Sequence, residues 1–251
     1  MSDQTLPPTS TRREAISIAV GGAMTATALA LLPQEADAAS GATNVQYGMI
    51  IDTRRCSGCH ACSVACKSEF DVPLGVTRSW VEYTEKGTFP DVSRSFLPRL
   101  CNHCSEPQCV DVCPTGATFK REEDGIVVVD PEICIGCKYC LQACPYDARF
   151  INPVTGAADK CDFCLHRVSK GVAPSCVNTC QGQARIFGDL NDPHSEISKV
   201  LNDNRVSVLR PEMGTKPNVF YIDADHSDES DVRFVGQYID VTTHRKEQLR
   251  R

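Results

Sequence analysis

Apolar positions in this chain come in short, separated runs. The run NVQYGMIID (44–52) predicts a strand leading into the first cysteine loop. A hairpin follows from Ala117–Arg121, a turn at Glu122–Gly125, and Ile126–Asp130 with four successive β-branched residues. Arg185–Gly188 predicts a strand that pairs with Tyr47–Asp52, and Val206–Leu209 and Val219–Ile222 read as two more short strands. Single helical turns are expected after Cys62 and after Cys109. A longer helix is expected to open at Asp192-Pro193, with aspartate as N-cap and proline at the first helical position, and to run through Leu201. The fold class these elements predict is α+β.

The amino terminus breaks this pattern. Thr11-Arg12-Arg13-Glu14-Ala15-Ile16 precedes a weakly apolar stretch from Ala15 to Leu32, and Ala36-Asp37-Ala38 offers a small-residue cleavage site. Residues 1–38 therefore read as a twin-arginine signal peptide. No later run approaches the roughly 20 apolar residues a membrane span requires. At the other end, the tail from Asp223 to Arg251 is polar, acidic first and basic last, and reads as a loose terminus. The net charge of −6 and the lack of a strong basic run argue against nucleic-acid binding.

Composition changes the picture most through its 16 cysteines, which fall into four groups of four. They are Cys56, Cys59, Cys62 and Cys66; Cys101, Cys104, Cys109 and Cys113; Cys134, Cys137, Cys140 and Cys144; and Cys161, Cys164, Cys176 and Cys180. The third group is C-x2-C-x2-C-x3-C-P, the bacterial ferredoxin run whose fourth cysteine serves the other cluster of a pair. The second group is the same run with two extra residues before its third cysteine, again ending in Cys113-Pro114. A [4Fe–4S] cube takes four thiolates, so the arithmetic matches four cubes. Disulfides fit poorly because C-x-x-C steps recur in every group. Structural zinc suits the two-plus-two spacing of the fourth group but not the triple runs. Cluster assembly needs a reducing cytoplasm and the twin-arginine route carries folded cargo, so a signal of this type and a set of cubes are mutually consistent.

The groups predict two ferredoxin-like units, the second inserted into the first. Residues 39–99 and 153–190 form the split unit with groups one and four, 100–152 the inserted unit with groups two and three, and 191–251 a C-terminal extension. Ligation should cross within each unit. Cys101, Cys104 and Cys109 are expected to share a cube with Cys144, and Cys134, Cys137 and Cys140 with Cys113. Cys56, Cys59 and Cys62 are expected to join Cys180, and Cys161, Cys164 and Cys176 to join Cys66. Each oxidised cube with its thiolates carries about −2, which Lys67, Lys120, Lys138, Arg149, Lys160 and Arg167 could partly offset. His103 and His166 read as supporting or surface residues rather than ligands, and Tyr139 and Tyr146 as packing around a cube. No catalytic constellation is visible, so the chain reads as a non-catalytic carrier of electrons.

Several stretches carry a resemblance beyond the cysteines: LPRLCNHC (97–104), DGIVVVD (124–130), QACPYDARFIN (142–152), ADKCDFC (158–164), ARIFGDLNDPHS (184–195) and GTKPNVFYI (214–222). Here the chain resembles the four-cluster iron–sulfur subunits of the molybdopterin oxidoreductase family, within it most closely those of tetrathionate reductases. The resemblance implies a row of four [4Fe–4S] clusters between an integral-membrane quinol-oxidising subunit and a molybdopterin catalytic subunit. It also implies a periplasmic location and a role in anaerobic respiration. The equivalent subunit of an arsenate, polysulfide or nitrite reductase system, and a freestanding polyferredoxin, remain open alternatives at this point.

Overall fold

The computed structural model describes residues 45–224; the expected signal peptide (1–38) and the tail beyond residue 224 lie outside the described residues. In chain order the strands are β1 (Tyr47–Asp52), β2 (Ser79–Thr88), β3 (Asp91–Leu100), β4 (Thr118–Lys120), β5 (Val127–Val129), β6 (Arg149–Ile151), β7 (Ala158–Lys160), β8 (Arg185–Asp189), β9 (Val206–Ser207) and β10 (Val219–Ile222). The helices are α1 (Ala61–Glu69), α2 (Gln108–Asp111), α3 (Tyr139–Gln142), α4 (Leu165–Val168), α5 (Ser175–Asn178) and α6 (Glu196–Asp203). Among the described residues no helix is long and apolar enough to cross a membrane.

A four-stranded sheet in the order β8-β1-β10-β9 anchors the molecule. β1 is antiparallel to β8, with Tyr47 opposite Asp189, and parallel to β10, with Met49 opposite Val219. Alternation along β1 splits the core. Met49 and Ile51 face the large cluster that includes Leu100, Cys101, Ile126, Phe163 and Tyr221, while Ile50 packs with Ile197 of α6 and Ile222 on the other face. The continuous apolar run of β1 is thus explained by cover on both sides. Residues 191–222 belong to this framework, since they supply α6, β9 and β10.

Three two-stranded hairpins complete the fold. β4–β5 is the hairpin expected between the second and third cysteine groups. β6–β7 places Arg149 opposite Lys160. β2–β3 is the longest, with Ser79 opposite Leu100 and Thr88 opposite Asp91, and it was not evident in the sequence pattern because its distal half is exposed and polar.

Two helices differ from expectation. α1 extends over two turns instead of one, because Cys62, Ser63 and Cys66 are buried on one of its faces and no glycine or proline interrupts it. α6 begins three residues later than expected. Asp192 accepts a hydrogen bond from the His194 amide in a local turn, and the N-cap is Ser195, whose hydroxyl accepts from the Ser198 amide.

Candidate metal centres

In each cysteine group the first two ligand candidates enclose two residues, and the second of these adopts a left-handed backbone in all four groups: Gly58, His103, Gly136 and Phe163. This reverses the chain so that neighbouring thiols face one space. After the loop, short helices present the remaining thiols: α1 carries Cys62 and Cys66, α2 carries Cys109, α3 carries Cys140 and α5 carries Cys176. α1 packs against α5, and α2 against α3, so the two halves of the molecule repeat one arrangement.

Four sites result. At site I, Cys56, Cys59, Cys62 and Cys180 line a space of about 370 Å³ that is partly open to solvent. At site III, Cys101, Cys104, Cys109 and Cys144 line one of about 350 Å³. At site IV, Cys113, Cys134, Cys137 and Cys140 line one of about 290 Å³. Site II brings together Cys66, Cys161, Cys164 and Cys176. There burial, then the neighbouring Cys176 and Cys164, push the Cys66 thiol up to about 12. Cys161 is raised by burial and then by Cys66 and Cys176. All sixteen are free thiols. In each site the structure brings three thiols of one cysteine group together with the fourth of another.

The sites form a row. α1 links sites I and II, and α2 and α3 link sites III and IV. Sites II and III meet where Cys161 lies near enough to Cys101 to feel its charge, and where His103 stacks on Phe163 at 3.7 Å between ring centroids. His103 is fully buried, its Nδ1 accepts the Val127 amide at 3.1 Å, and burial followed by Lys160 and Arg149 depresses its basicity. It is therefore a neutral packing residue between two sites. His166 lies elsewhere, paired with Glu69 at 2.8 Å. Tyr146 is buried beside site III with its hydroxyl on Thr215 Oγ1, whereas Tyr139 is 57% exposed and does not pack around a thiol set as expected.

The residues present fit anionic clusters. Among the described residues no three His, Cys, Asp or Glu side chains close on the position of a single ion. Backbone amides of Thr118, Ala158, Phe163 and Ala184 donate to the sulfurs of Cys113, Cys134, Cys161 and Cys180 at 3.2–3.4 Å. Buried cations add to this. Arg149 Nη2 donates to Cys109 Sγ at 3.0 Å, and Arg185 Nη2 to Cys62 Sγ at 3.4 Å. Arg149 and Lys160 were candidates from the sequence; Arg185 was not, although Cys144-x4-Arg149 and Cys180-x4-Arg185 share one spacing. Lys67, Lys120 and Arg167 instead bond backbone carbonyls or Glu69, and Lys138 is exposed on a left-handed turn.

Comparison with known proteins agrees with this chemistry. The 4Fe-4S dicluster domain matches twice, over residues 92–190 and 55–118. The chain is 49% identical over 212 residues to a tetrathionate reductase subunit of Salmonella typhimurium, covering 83% of this chain and 84% of that protein. It is 47% identical over 180 residues to protein NrfC of Escherichia coli K12, covering 71% and 81%. It is 43% identical over 180 residues to a polysulfide reductase component of Wolinella succinogenes, covering 70% and 94%.

Proposed function

The chain belongs to the family of four-cluster iron–sulfur electron-transfer subunits of molybdopterin oxidoreductases, and from that premise we propose that it relays electrons from an integral-membrane quinol-oxidising subunit to a molybdopterin catalytic subunit of the tetrathionate reductase kind. The observation that carries this reading is the row of four sites, each offering four thiols. When bound, [4Fe–4S] clusters supply one-electron transfer at potentials set by hydrogen bonds to sulfur, burial and nearby charge. The chain's residues contribute the rest. Sixteen cysteines hold the clusters in the combinations of sites I to IV, amide donors and buried cations face the sulfurs, and the apolar core keeps water from the middle of the row. The chain itself performs no substrate chemistry.

The finer organisation belongs to the same proposal. A ferredoxin-like unit over 100–152 is inserted into one formed by 39–99 and 153–190; the β1–β8 pairing, which closes residues 47–52 onto 185–189, supports it. The Arg12-Arg13 signal supports export of the loaded protein by the twin-arginine route to the periplasm, held at the membrane by its partner.

Anaerobically purified protein should contain about sixteen iron and sixteen sulfide per chain and give paramagnetic resonance signals after dithionite. A colourless, silent sample would overturn the reading. Expression with neighbouring genes should yield a complex containing molybdenum; a stable carrier exchanging freely among partners would favour a freestanding polyferredoxin. Cys180→Ser should abolish or convert the site I cluster while sites III and IV keep their signals.

A further inference from the structure

Three cations are buried in this molecule without a carboxylate partner among the described residues. Arg185 is 3% exposed, Lys160 2% and Arg149 7%. Burying a charge costs several kcal/mol unless an opposite charge compensates it, so each position implies a neighbouring anion. Arg185 makes the point most directly. Its Nη2 bonds Cys62 Sγ and Ser79 Oγ, while its buried Nη1 finds no partner in the protein. Arg149 and Lys160 sit directly opposite each other in β6–β7, a like-charge pairing that is destabilising in a sheet unless something negative flanks it.

Their places are not random along the row. Arg185 bonds Cys62 of site I and reaches Cys176 of site II. Arg149 bonds Cys109 of site III through Nη2, and through Nη1 bonds Thr118, which lines site IV, at 3.1 Å. Lys160 Nζ bonds the carbonyl of Cys161 at site II at 2.8 Å and that of Val127, which lines site III. Two of its three donors are thereby used, and a lysine ammonium has a third.

We propose that Arg185, Lys160 and Arg149 are interstitial cations, one in each gap between successive sites, that offset the mutual repulsion of neighbouring clusters and let adjacent ones be reduced together. The proposal rests on the four-cluster reading and adds a tuning role to three named residues. Two charges at close range in a protein interior interact far more strongly than in water. An electron placed on one cluster would therefore oppose reduction of the next. A cation between them stabilises the extra electron on either side. No bond forms or breaks: each hop oxidises one centre by one electron and reduces its neighbour by one. The repeat Cys-x4-Arg puts the same cation in the same gap of each half, and Lys160 serves the joint between halves.

The test uses the full chain, purified anaerobically with all four clusters, and potentiometric titration followed by paramagnetic resonance. Arg185→Gln should lower the potentials of the site I and II centres, Lys160→Gln those of sites II and III, and Arg149→Gln those of sites III and IV. Each shift should reach at least a tenfold change in the reduction equilibrium, about 59 mV for one electron, with the two remote centres unmoved. Arg185→Lys, Arg149→Lys and Lys160→Arg keep the charge and should stay within threefold of the parent. Fully loaded Gln variants with unmoved potentials would falsify the proposal, as would an even shift across all four centres. Charge-keeping variants that fall as far as the Gln variants would also overturn it. Should a Gln variant load fewer clusters, its charge-keeping counterpart must load all four; if it fails too, shape rather than charge is required and the inference is wrong. Absence of iron from the parent protein is a different outcome, and it overturns the proposed function itself.

Discussion

At the scale of single residues, the cysteine loops share one backbone requirement and meet it in two ways. Gly58 and Gly136 take positive φ at the second position of their Cys-x-x-Cys steps, where glycine carries no Cβ penalty. His103 and Phe163 take the same conformation without being glycine. The left-handed region costs an ordinary residue roughly 1–2 kcal/mol, and their face-to-face stacking with full burial offsets it. The glycines were readable as turn residues; the role of the aromatic pair was not, because the two are far apart in sequence. Gly136→Ala should be damaging, since its Cβ would lie 2.6 Å from the Gly156 carbonyl oxygen, which belongs to backbone and yields little. The expected result is loss of about a quarter of the iron, with the site IV signal missing. Gly116→Ala, at similar φ but facing open space, should retain the iron.

Elements show how charge and polarity can replace apolar pattern. In β2–β3, Glu82 pairs with Arg99 at 2.8 Å and Glu85 with Arg94, so charged contacts support a hairpin whose distal half is exposed. Arg99 is nearly fully buried and also bonds the Tyr146 carbonyl at 2.9 Å, which ties the hairpin to site III. The end of α1 is tied to α4 similarly: Glu69 accepts from His166 and Arg167, and Phe70 packs edge-on to His166. The His166 hydrogen bond first, then Arg167 against an opposing effect of burial, hold the Glu69 carboxyl below its ordinary value of 4.5. A depressed folded pKa means that the stabilisation is complete above 4.5 and disappears as pH falls through the lower folded value. Glu69→Gln should therefore remove part of the acid sensitivity. Thermal midpoints of parent and variant should converge as pH drops below 4.5, and a gap that stays constant across that range would refute this role for Glu69.

For the whole molecule, the sites are part of the core. Cys62, Cys101, Cys161 and Cys176 sit in the same buried cluster as Met49, Val81, Leu100, Ile126 and Tyr221. Removing the metal would leave buried cations beside spaces of about 350 and 370 Å³. Without metal, Cys104 and Cys164, pushed up to about 12 by burial, and Cys109, pushed to about 11, are neutral thiols near pH 7. Binding as thiolates must therefore expel protons, and acid must favour release of iron. Iron extraction with a chelator under reducing conditions should unfold the body, seen as loss of the far-ultraviolet signal of the sheet together with the visible absorbance; a native-like apo form would contradict this. By itself the sequence determined the sixteen thiols, their division into four groups with ferredoxin spacing, and the strands β1, β4, β5, β8, β9 and β10, because these are encoded in local spacing and short apolar runs. Only the tertiary structure decided that β10 enters the sheet beside β1, that His103 meets Phe163, and that Arg185, Lys160 and Arg149 stand between successive sites. Those facts depend on where distant segments come to lie, and an arginine in a sequence looks the same whether it ends in water or between two anions.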